Sequence, residues 1–151
     1  MPTLSISIFH PEEGNRWHWA LDLEHEHTSP RSHTMYEVTS TTSSFSENTI
    51  TTTSSSSPAN DHDLVHHRSI VLASINEVDL PTFRDVVAAA RVDNETSHWN
   101  CQDYVLEILE ALEEECVVGF DEDFDGGEEE DGGGGYWRAK REAMRFYGLM
   151  V

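Results

Sequence analysis

The sequence predicts an α+β domain in which a small antiparallel sheet packs against helices. Two observations carry this. Apolar and polar residues alternate with period two near the N-terminus, and three- and four-residue spacing takes over from Pro81. Strands that precede helices, rather than interleaving with them, point to α+β.

Each element has its own signal. Leu4 to Phe9 alternates as a half-buried strand does, and Pro11, Gly14 and Asn15 mark a turn. Trp17 to Leu23 alternates again, with Trp17, Trp19, Leu21 and Leu23 on one face and His18, Ala20 and Asp22 on the other. The two segments form a hairpin. A polar, His-rich loop follows, then short strands at Met35 to Val38 and Ser69 to Ile75. Pro81 suits a first helical position and opens a helix through Arg91, with Phe83, Val86, Val87 and Ala90 on its apolar stripe. Asn100 is an N-cap with Asp103 in the first turn behind it, and that helix runs to about Cys116, with Gly119 as its stop. A last helix spans Tyr136 to Tyr147.

The whole chain, 1–151, reads as a single domain carrying two poorly folding stretches. Thr39 to Ser57 is almost entirely Ser and Thr, so about 39–62 is expected to be a disordered insertion, and about 120–135 a flexible acidic and Gly-rich loop.

Twenty-nine acidic against nine Lys and Arg residues give a net charge of −20. Such a chain repels phosphate backbones and anionic lipid, which excludes nucleic acid and anionic membranes as expected partners. No apolar run approaches the ~20 residues of a membrane span, and the N-terminal residues lack the pattern of a secretory leader, so a cytoplasmic protein is expected. Cys101 and Cys116 lie on one predicted helix about 22 Å apart by its rise, too far for a disulfide; both thiols are expected to be free, as in a reducing compartment.

Metal signals are incomplete. Asp121, Asp123, Asp125 and Gly126 match the first half of an EF-hand loop, but position twelve is Gly132 and position eight is Glu128, so a solvated acidic loop is expected. The nine histidines, including His25 with His27 and His62 with His66, lack Cys partners or a His-Glu-x-x-His pattern. No metal or cofactor is expected, and no phosphate-cradling glycine loop or nucleotide fingerprint is present.

Cys101 occupies a predicted first helical turn, where unpaired N–H groups and the helix dipole stabilise a thiolate. His18 sits mid-strand on the face opposite Trp17, Trp19 and Leu21, as a base delivered from a rigid element should. By spacing alone these residues are either a thiol–imidazole pair or a buried Cys and an unrelated His.

The strings IFHPEEGNRWHWAL and NCQDYV resemble the circularly permuted papain-like thiol enzymes, the lecithin:retinol acyltransferase-like and NlpC-type group; small fungal proteins share the two blocks. The matching positions are Ile8, Phe9, His18, Trp19, Ala20 and Leu21, then Asn100, Cys101, Tyr104 and Val105, with His before Cys. The resemblance implies a permuted papain-like fold, Cys101 as nucleophile and His18 as general base and acid. The group orienting the imidazole then falls near Tyr36 to Thr39, where Glu37 or Thr39 stands in place of the acyltransferases' histidine; His33 reaches if that strand is longer. Trp19, Asn100 and Gln102 are the expected substrate contacts. Gln102 replaces the acyltransferases' Glu, and an acidic, His-rich stretch replaces the Gly that follows the His-Trp strand.

The implied function is a cysteine-dependent acyl or amide hydrolase or acyltransferase, working through a thioester on a small-molecule or peptide substrate. Two alternatives stand beside it. One is a catalytically lapsed fold that binds a ligand or partner. The other is a non-hydrolytic cyclase or isomerase of fungal-type secondary metabolism with His18 as acid and base.

Overall fold

The computed structural model describes residues 1–10, 16–25, 32–40, 45–52, 65–96, 98–119 and 135–149. The period-two segments become strands, β1 (Thr3–His10) and β2 (His18–His25), paired antiparallel from Thr3↔Glu24 to Phe9↔His18. Three more strands follow: β3 (Ser32–Ser40), β4 (Phe45–Thr52) and β5 (Val65–Ser74). The sheet order is β4-β3-β2-β1-β5, with every neighbouring pair antiparallel. A 3-10 turn at Glu77–Asp79 leads into α1 (Leu80–Ala89), followed by α2 (Cys101–Glu114) and α3 (Gly135–Met144). Among the described residues the fold is α+β, a five-stranded antiparallel sheet with three α-helices.

Register divides the sheet into two chemically different faces. Ile6, Ile8, Trp19, Leu21, Leu23 and Val38 join Phe83, Val105, Ile108, Leu109 and Leu112 of the helices in one core cluster. Each fully buried aliphatic side chain of this kind contributes roughly 1.5–3 kcal/mol. The opposite face carries a small apolar cluster of Phe9, Ala20 and Met35, set among buried Ser5, Ser7, His18, Asp22, His33 and Glu37. Polar side chains buried on one face of a sheet need partners there, and this face holds the candidate chemistry.

The structure shifts several expected boundaries, with β5 starting at Val65 rather than Ser69 and α3 ending at Met144 rather than Tyr147, and three departures go further. Residues 45–52 fall in the stretch read as a disordered insertion, yet they form edge strand β4, paired with β3 from Ser40↔Phe45 to His33↔Thr52. An exposed edge strand needs ladder hydrogen bonds more than apolar side chains, and Thr is a good strand former. The remainder of 39–62, apart from 39–40, lies outside the described residues. So do the turn at residues 11–15, His27, His62, the partial calcium motif at 121–132 and most of the loop about 120–135.

The second departure is β3, which begins three residues before Met35 and ends two after Val38, so that His33 is a strand residue. The third concerns the end of α2. The helix stops at Glu114, and Cys116 adopts the left-handed conformation at φ 59°. Val117 N–H donates to Leu112 O at 2.9 Å and Cys116 N–H to Glu113 O at 3.1 Å, the paired bonds of a Schellman stop, with buried Val117 and Leu112 as its apolar contact. Gly119 instead admits a neighbour: a Cβ there would lie 2.8 Å from the Trp137 ring, whose indole N–H donates to Gly119 O. Among the described residues, no helix is long and apolar enough to cross a membrane.

Candidate active site

The start of α2 is built as its sequence requires. Asn100 is extended and accepts from Gln102 N–H at 2.8 Å, while Asp103 accepts from Asn100 N–H at 3.0 Å, completing a capping box. The Asn100 side chain thereby serves the N–H groups of the second and third helical residues. Cys101, at the first position, keeps an N–H that meets no acceptor among the described residues. Its thiol, half-buried and free, lies 3.9 Å from the carbonyl oxygen of Trp17.

Trp17 immediately precedes His18, the first residue of β2, so this contact brings the nucleophile to the base. His18 is buried, and its Nε2 is 2.6 Å from Oε2 of Glu37, which is 1% exposed. The Cys101 thiol is close enough to His18 to act on its titration. With Nε2 committed to the carboxylate, Nδ1 is the ring nitrogen left for a second partner. Burial alone drives the imidazole's pKa down, but hydrogen bonding and electrostatic attraction to Cys101 and Glu37 outweigh it, and the net result is a rise from 6.5 to about 9. The phenyl ring of Phe9, paired across from His18, packs against the imidazole at 5.7 Å between centroids.

Register explains why Glu37 takes the third position. β2 and β3 pair from Leu21↔Tyr36, and continuing that register sets Glu37 level with Ala20 and Thr39 level with His18. Glu37 is thus a diagonal neighbour on the same face, within reach of a long side chain. Thr39 is half-buried and makes no side-chain hydrogen bond among the described residues. His33, carried onto the sheet by the longer β3, bonds Asp22 through Nδ1 at 2.9 Å in a separate buried pair.

The three expected substrate contacts are held in structural work. Trp19 is completely buried in the core, its ring beside Tyr147 and its indole N–H without a hydrogen-bond partner among the described residues. Asn100 is the helix cap, and its amide nitrogen donates to His98 O at 3.2 Å. Gln102 is also completely buried. Its amide nitrogen donates to Trp17 O at 2.9 Å and Phe146 O at 3.3 Å, and its oxygen accepts from Gly148 N–H at 2.9 Å. This one amide clamps the approach to β2, the start of α2 and the turn after α3 together. The hydroxyl of Tyr147 adds a 2.7 Å bond to Asp103.

Residues that sequence reasoning passed over sit at the same end of the sheet. The Trp17 ring packs against His10 and His67, both 4.7 Å away between centroids, and edge-on to Phe146. The available signal was that Trp17 and His10 flank the predicted turn next to the base. Among the described residues, no group of three or more His, Cys, Asp and Glu side chains is arranged to hold a metal ion. No protein-family profile, curated protein or solved structure matches the chain.

Proposed function

We propose that the protein is a cysteine-dependent acyl or amide hydrolase or acyltransferase of the permuted papain-like type. In this reading Cys101 is the nucleophile, His18 the general base and acid, and Glu37 the group that orients the imidazole. One observation carries it: a buried carboxylate from a strand lies 2.6 Å from a buried imidazole whose titration also responds to a thiol from the first turn of a helix.

The chemistry follows from that arrangement. His18 holds the proton of Cys101, and the sulfur attacks the carbonyl carbon of the substrate. The oxygen that becomes negative needs a fixed donor, and the unclaimed N–H of Cys101 is the one beside the sulfur. As the tetrahedral species collapses, the carbon–nitrogen or carbon–oxygen bond breaks and the leaving group takes the proton from His18 Nδ1. A thioester remains on Cys101. Water or a second acceptor gives a proton back to the same nitrogen, attacks the thioester and releases the acyl group. The Glu37 carboxylate keeps Nε2 protonated, so the ring always faces sulfur and substrate with Nδ1.

A net charge of −20 favours small-molecule or peptide substrates that are neutral or cationic, and disfavours nucleic acid and anionic membranes as partners. The two free thiols suit a reducing compartment such as the cytoplasm. The test is incubation with a simple propionyl thioester, with intact mass and released thiol both followed. Wild type is expected to gain a propionyl adduct or to release thiol above background, and Cys101→Ala and His18→Ala to do neither. Absence of both in the wild type overturns the proposal in favour of a fold that only binds.

A further inference from the structure

Where β1 ends and β2 begins, four rings gather on the surface beside the candidate nucleophile. Trp17 lies against His10 and His67, the two imidazoles are 4.9 Å apart between centroids, and Phe146 closes edge-on against both Trp17 and His67 at 5.5 and 5.6 Å. The cluster straddles the core edge: Trp17 and Phe146 pack against the core while half-buried, His10 is half-buried and His67 is exposed. The side-chain nitrogens of His10, Trp17 and His67 make no hydrogen bonds with the rest of the protein among the described residues. Such a cluster offers partly exposed aromatic surface and polar ring nitrogens, as a site for a planar ligand does.

Its position ties it to Cys101. The carbonyl of Trp17 touches the Cys101 sulfur and is held there by Gln102, while the ring of the same residue belongs to the cluster. Phe146 is fixed by the same amide through its own carbonyl. A group bound on these rings is therefore held at a set distance from the sulfur by one buried clamp.

Building on the proposed thiol chemistry, we propose that His10, Trp17, His67 and Phe146 form an acyl-binding subsite for substrates whose acyl group carries a planar aromatic ring. Ring-on-ring contact supplies the affinity, and the free imidazole and indole nitrogens hydrogen-bond polar substituents on that ring. The small cost of burial at His67, and the positive charges of His10 and Arg68 beside it, hold its pKa below the ordinary value. The His67 ring thus presents itself uncharged at neutral pH, which suits a neutral aromatic group.

The experiment compares two alkylating reagents on the full chain, N-benzyl-iodoacetamide and N-butyl-iodoacetamide, with rates read separately at Cys101 and Cys116 by peptide mapping. In each reaction the sulfur–carbon bond forms as iodide leaves. The benzyl reagent is expected to be favoured on the order of tenfold at Cys101, the gain from one or two aromatic contacts, and not at Cys116. His67→Ala and Phe146→Leu bring that ratio towards one, and His67→Phe, which keeps a ring, retains it. A ratio near one at Cys101 in the wild type, or a raised ratio unaffected by either substitution, overturns the subsite. Plain iodoacetamide run alongside reports the thiol reading separately: slow Cys101 there, with the benzyl preference intact, overturns the nucleophile and leaves the subsite standing.

Discussion

Nε2 of His18 lies 2.6 Å from Oε2 of Glu37, inside a sheet face where neither residue is more than 9% exposed. A buried carboxylate and imidazole this close stabilise each other's charged forms, and removing one partner leaves the other stranded. Glu37→Gln keeps the shape and an acceptor but loses the charge. It is expected to slow acylation and alkylation of Cys101 by about ten- to a hundredfold, the worth of one charge-assisted hydrogen bond, and to lower the His18 pKa. Alkylation kinetics and an NMR titration of the His18 ring check both outcomes.

The pH dependence has a defined direction. His18 has a folded-state pKa of about 9 against 6.5 when unfolded. Its stabilising contribution, on the order of 3 kcal/mol, is complete below pH 6.5 and is lost as pH rises through about 9. Urea midpoints are expected to fall between pH 6.5 and 9 in the wild type and to show no such fall in His18→Asn. Acylation, which needs the protonated ring as acid, declines over the upper part of the same range.

Gln102 makes three hydrogen bonds from a completely buried side chain. Gln102→Glu removes the donor needed by Trp17 O and Phe146 O and places a carboxylate against two carbonyls. A loss of about 2–4 kcal/mol is expected in denaturant unfolding, with slower reaction at Cys101 because the Trp17 carbonyl is released. Gln102→Leu leaves all three backbone groups without the amide and is expected to lose a similar amount.

Cys116 holds a left-handed backbone conformation in a Schellman stop that glycine adopts without strain. Cys116→Gly is expected to stabilise the chain by about 0.5–1 kcal/mol, measured by thermal or urea unfolding. The variant leaves Cys101 as the only thiol.

These particulars show what the sequence could and could not convey. The placement of His18 on a strand and of Cys101 at a helix start was legible because strand alternation and an N-cap are local signals. Glu37 and Thr39 share a sheet face, and only the β2–β3 register, set by contacts far along the chain, separates them. The clamp made by Gln102 was not legible because its partners, Trp17, Phe146 and Gly148, are more than forty positions away in either direction. Two of those partner groups are backbone carbonyls, which carry no side-chain signature. β4 was hidden because a Ser- and Thr-rich edge strand lacks the apolar alternation that marks a half-buried one.

The most direct test of the central claim is the rate of iodoacetamide modification at Cys101 and at Cys116, between about pH 6 and 7, in wild type and in His18→Ala. A thiol that can hand its proton to His18 is the better nucleophile, so Cys101 should be modified at least about tenfold faster than Cys116, with the advantage abolished in His18→Ala. Equal, slow labelling of both cysteines in the wild type would contradict the account.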